Sequence, residues 1–90
     1  MPLFEVVVHG RGLWISLDEE LERVRFDVTR VVDAVDAAQA GWQALALVQA
    51  DRRVRPLPGR APPDLTVGKV VPAARMPPVQ PGFAFYPDPE

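Results

Sequence analysis

The chain has 90 residues, 12 acids against 10 bases, one histidine and no cysteine. A chain of this length holds one core, burying roughly 60–65% of the surface it exposes when unfolded, and without cysteine it has neither disulfides nor thiolate metal ligands. MPLFEVVV at the start carries no basic segment or small-residue cleavage site, and no apolar stretch reaches the roughly 20 residues that span a bilayer, so a soluble, cytoplasmic protein is expected.

Charge is unevenly spread. Residues 1–23 hold five acids and two arginines, whereas residues 51–60 hold one acid and four arginines. Nine arginines against one lysine, with no asparagine and abundant Ala, Val and Pro, point to a GC-rich bacterial genome. That composition reports on codons and not on activity. Ten of the eleven prolines lie at or beyond residue 56. A single α+β domain over 1–71 is expected, followed by a proline-rich arm and aromatic tail over 72–90.

The first elements lie in VVVHGRGLWISL, residues 6–17. Phe4, Val6 and Val8 are even-numbered, and Leu13, Ile15 and Leu17 are odd, so the side-chain phase must flip between them. A two-residue turn at Gly10-Arg11 achieves this. It pairs Val8 with Leu13, Val6 with Ile15 and Phe4 with Leu17, and predicts a positive φ at Gly10 in a type II′ geometry. A single bent strand with a glycine bulge flips the phase as well and stays open as the alternative.

After the acidic connector DEELER, a strand is predicted over 24–35, with Val24, Phe26, Val28, Val32 and Ala34 on one face. Arg30 falls on that apolar face, and a bulge that turned it outward would bring Asp33 inward. Asp36 with Gln39 three residues on forms a capping-box pattern opening a helix over about 37–52. Its expected buried stripe is Ala38, Gly41, Trp42, Ala44, Leu45 and Val48. LTVGKVV at 65–71 reads as a further strand, and FAFY at 83–86 as a short last strand or docked tail. The predicted fold is α+β, a small antiparallel sheet with one helix on one face, in the order β-β-β-α-β(-β). A strongly bent, Sm-like small barrel is the alternative.

Residues capable of chemistry are few. In the expected hairpin His9 and Ser16 lie about four residues, roughly 13 Å, apart, whereas a nucleophile and its base need contact near 3 Å. Asp18, Glu19, Glu20 and Glu22 lack the alternating ligands and central glycine of a calcium loop. HGRGLW has neither the third glycine nor the following helix of a dinucleotide loop. No catalytic residue, metal site or cofactor is therefore expected. Arg52, Arg53, Arg55 and Arg60 are the candidate phosphate-binding residues, and through them a nucleic acid is a candidate partner.

The block FDVTRVVDAVDAAQAGWQALALV, 26–48, resembles the strand–helix segment of small uncharacterised bacterial proteins. These carry an F-x-x-T-R-x-V-x-A stretch, an Ala- and Leu-rich helix and a G-F-x-F-Y-P-like tail. Phe26, Thr29, Arg30, Val32 and Ala34 match the first pattern, and GFAFYP at 82–87 matches the last. The resemblance implies no activity.

The expected function is a homo-oligomeric structural or protein-interaction module without catalysis, with RNA binding through 52–60 as the alternative. The expected interface is Val7, Trp14 and Val31 on the helix-free face of the sheet, joined by Phe83, Phe85 and Tyr86 from the tail. A second copy of the chain is the expected partner, an unidentified protein the other candidate.

Overall fold

The computed structural model describes residues 2–88. Two long strands dominate it, β1 (Leu3–Leu17) and β2 (Glu20–Asp33), followed by α1 (Ala37–Ala50), a 3-10 turn at Arg52–Val54, β3 (Asp64–Ala73) and β4 (Phe83–Pro87). All pairings are antiparallel and the sheet order is β3-β1-β2-β4. The sheet is open, with β3 and β4 as its edges, so the fold is α+β and not a closed barrel.

Two strands precede the helix, not three, because β1 does not turn at Gly10-Arg11. It runs through that point with a register shift between Gly10 and Leu13, and the positive φ of 76° sits on Gly12. A glycine in the left-handed region is what this bulge needs. The phase flip is real, but the bulge makes it. Val8 pairs with Val28, Phe4 with Val32 and Leu13 with Val24, in place of the pairings within 4–17. The chain reverses instead at Asp18 and Glu19, with φ of 50° and 69°. Positive φ at both central residues is the two-residue geometry that matches strand twist, and it gives β1 a 14-residue partner.

One sheet face forms the core. Val6, Val8 and Leu13 from β1 and Val24, Phe26, Val28 and Val32 from β2 are buried there. Arg30 keeps its place on this face and is also buried. Its guanidinium donates to the carbonyls of Thr29 at 2.9 Å and Pro81 at 2.6 Å, stands 3.7 Å from the Asp51 carboxylate and lies over the Phe83 ring. These contacts replace the water that a buried cation loses.

The helix begins as expected. Asp36 accepts the Gln39 amide at 2.8 Å, and the Gln39 side chain returns to accept the Val35 amide, one residue earlier than a standard capping box. Its buried side, however, is Ala40, Gly41, Ala44 and Val48, while Ala38 is exposed and Trp42 is 73% exposed. Phe26, Leu13 and the valines already fill the sheet face, so the helix approaches on its small residues. Trp42, two positions and about 200° from Ala44, is turned away.

Asp51 ends α1 and caps the 3-10 turn, accepting the Arg53 amide at 2.9 Å and the Arg53 guanidinium at 2.8 and 3.0 Å. The Arg53 side chain, against the opposing effect of burial, holds the Asp51 carboxyl down at about 2, helped by the Arg53 amide and by Arg30. A carboxyl depressed by folding contributes stability above the usual carboxylate range and loses it as pH falls through that range towards about 2. Urea unfolding of the wild type and Asp51→Asn should therefore differ at pH 6 and converge near pH 2. A pH-independent gap would contradict the pairing.

Candidate functional site

The six residues of the expected interface do not form one patch. Val7 pairs with Thr29 and Trp14 with Arg23, so the two lie seven residues apart along one strand and not opposite each other. Val31 is buried, and the Gln80 amide group brackets its backbone, accepting from Val31 N at 3.0 Å and donating to Val31 O at 2.9 Å. Phe83 and Phe85 lie on the core face, with ring centroids 5.3 and 6.0 Å from that of Phe26. Tyr86 points to the helix-free face, where Arg25 stands over its ring at 5.6 Å. The tail thus docks on its own chain, as the strand beside β2.

The four arginines do not converge either. Arg53 is tied to Asp51 and lies 4.3 Å over the Phe83 ring, level with Val28 of β2 on the core face. Arg60 lies 4.3 Å over Trp14, level with Arg23 on the opposite face. Arg52 and Arg55 are exposed beside the 3-10 turn.

Two features stand out instead. The first is a two-stranded arm. β3 ends opposite Arg11, and β4 ends opposite Val24. Beyond these points only β1 and β2 remain paired, through Trp14–Arg23, Ile15–Glu22, Ser16–Leu21 and Leu17–Glu20. The cause is a mismatch of lengths. A 14-residue helix is about 21 Å long, whereas a 15-residue strand reaches roughly 50 Å, and the molecule is 44 Å along its longest axis. Val54 still packs against the core. Further out, Leu17 and Leu21 are about half exposed, and Ile15, Leu17, Val24 and Phe85 line a shallow apolar hollow of about 290 Å³. Four acids, Asp18, Glu19, Glu20 and Glu22, crowd the tip.

The second feature is a polar cleft of about 380 Å³ on the helix-free face, floored at Gly10 and Phe26 and walled by His9, Arg11, Arg25, Asp27 and Tyr86. His9 Nδ1 and Asp27 Oδ1 lie 2.5 Å apart across the two strands. Sequence reasoning placed His9 beside a turn and missed this pair, because Asp27 comes opposite only when the chain reverses at 18–19. Ser16 lies seven residues further along β1, so the histidine has no serine in reach. Next to the cleft, Asp88 accepts the amide of Gly12, freed by the bulge, at 2.9 Å, and pairs with Arg11 and Arg23 at 3.3 Å. Burial raises the Asp88 carboxyl, but the Gly12 amide, Arg11 and Arg23 together outweigh it and hold it below its usual value.

Among the described residues there is no cluster of three or more metal-ligating side chains, and no helix is long and apolar enough to cross a membrane. Compared with family models, with curated proteins and with solved structures, the chain matches none.

Proposed function

We propose that this chain is a non-catalytic self-association module, pairing with a second copy through its hairpin arm. The observation that carries this reading is the bare ribbon beyond Arg11 and Val24, which ends in apolar side chains and a charged tip. A two-stranded ribbon is at best marginally stable in water on its own. On its core-side face Leu17, 47% exposed, joins Ile15, Val24 and the neighbouring Phe85 in apolar surface to bury, while Leu21, paired with Ser16, lies on the other face. The second copy is favoured by charge. Each chain carries four acids at the arm tip, and near the arm's base the exposed Arg55 stands beside Leu65, which pairs with Gly10, with Arg52 exposed in the adjoining 3-10 turn. A two-fold axis through two antiparallel arms puts each tip against the other chain's base, with the apolar hollows facing between them. Such a contact is self-complementary and closes at two copies.

Light scattering at roughly 100 μM, a concentration that reveals even micromolar association, should give the mass of a dimer. Leu17→Glu should give a monomer with unchanged far-UV circular dichroism. Glu20→Arg/Glu22→Arg should weaken pairing, and mixing it with Arg52→Glu/Arg55→Glu should restore a mixed dimer. A wild-type monomer, or a dimer indifferent to both arm variants, overturns the proposal.

A further inference from the structure

We infer that the cleft on the helix-free face is a binding site for a small oxyanion ligand, a carboxylate or a phosphate ester, held by Arg25 with Arg11. This inference does not rest on the arm, whose apolar hollow opens towards the other face of the sheet and shares only the edge residue Tyr86 with the cleft.

The cleft stands where a like-charge pair meets a break in the ladder. Gly10 pairs with Phe26, and the next regular pair is Leu13–Val24, so Arg11 and Arg25 flank the bulge from neighbouring strands. Like charges facing each other across strands disfavour the sheet, unless an anion lies between them. Arg11 is partly satisfied by Asp88 at 3.3 Å. Arg25 has no carboxylate partner among the described residues, and its contact there is the Tyr86 ring. Its guanidinium fork therefore remains available for the two-point recognition of carboxylate or phosphate at which arginine excels.

Asp27, the acid in the cleft wall, is engaged elsewhere. Its Oδ1 is held by His9 Nδ1, and the far side of the imidazole lies over Gly68 of β3. A Cβ at residue 68 would stand 2.5 Å from His9 Nε2, so the ring keeps this position only over a glycine. Asp27 is thus drawn towards His9, Asp88 is shared by Arg11 and Arg23, and Asp64 stands across from Arg11 on β3, so among the described residues Arg25 is the cation of the cleft left without a carboxylate of its own. The Tyr86 ring, 42% exposed, offers a flat wall against which the body of a ligand can lie. The volume of about 380 Å³ lies within the range of small-molecule sites.

The test is a titration of 15N-labelled protein with inorganic phosphate, phenyl phosphate and benzoate, each to about 10 mM, which detects millimolar binding. Saturable shifts are expected at the amides of Gly10, Gly12, Phe26 and Tyr86 and at Arg25 Nε–H. Saturation by benzoate alone identifies a carboxylate site, and saturation by the phosphates identifies a phosphate site. Arg25→Gln should weaken binding at least about tenfold, and Arg25→Lys, which keeps the charge but loses the fork, should retain only part of it. Arg52→Gln, remote from the cleft, should bind as the wild type does. If no probe saturates, or if Arg25→Gln binds like the wild type, the inference fails.

Discussion

Phe26→Ala is expected to lower the unfolding free energy by about 3–5 kcal/mol, whereas Trp42→Ala should change it by less than about 1 kcal/mol. Phe26 is 1% exposed and is the largest fully buried side chain among the described residues. Its ring stands against Phe83 and Phe85 of β4 and beneath Gly10 of β1, so it joins three of the four strands. Truncation opens a cavity at that junction and removes the aromatic contact that holds the short β4 in place. A 90-residue chain has only roughly 5–13 kcal/mol of stability in all, so the variant should lose at least about a quarter of the wild-type urea midpoint. Trp42 is the larger residue but is 73% exposed, and its removal uncovers little. In a Trp14→Phe background its fluorescence should have the red-shifted emission of an indole in water. Comparable losses from the two truncations would mean that α1 presents a different side to the sheet.

The contrast between these two aromatics shows where sequence pattern stops being informative. Alternation along 24–34 identifies the inward face of β2, including Arg30, because a strand has only two faces and one is apolar. The cap at Asp36 and the strands at 65–71 and 83–86 are legible for similar local reasons. In α1, however, an Ala-rich helix offers two overlapping stripes, one through Trp42 and Leu45 and one through Ala40 and Val48. Which is buried depends on how much volume the sheet has already filled, and that is a tertiary quantity. The site is less legible still. The acidic run at 18–22 resembles a connector because neither Asp18 nor Glu19 is a glycine or an asparagine, yet both adopt positive φ and reverse the chain. Misplacing the turn by eight residues conceals the His9–Asp27 pair, the bulge that opens the cleft and the bare arm, since all three exist only once β1 runs unbroken to Leu17.

Gly10→Ala tests that unbroken strand directly and should cost up to about 3 kcal/mol, the range for overfilling a packed core. A turn glycine would matter for its backbone angles, but here the positive φ belongs to Gly12. Gly10 matters for space, because a Cβ on it would stand 2.2 Å from two Phe26 ring carbons. The ring cannot simply swing aside, since Phe83 and Phe85 back it and it is almost wholly buried. Gly12→Ala should cost about 1–2 kcal/mol for a different reason, the left-handed conformation forced on a residue with a Cβ. No crowding adds to that, as the nearest atom to a Cβ at Gly12 is 4.0 Å away on Arg23. A double-mutant cycle separates the two causes. Phe26→Leu shortens the obstructing group, so Gly10→Ala should be distinctly cheaper in that background, with a coupling of about 1 kcal/mol or more. Gly12→Ala should cost nearly the same in both backgrounds, because a smaller side chain at residue 26 does nothing for its φ. If Gly10→Ala is as costly in the Phe26→Leu background as in the wild type, the penalty arises in the backbone at residue 10, and the chain turns there after all.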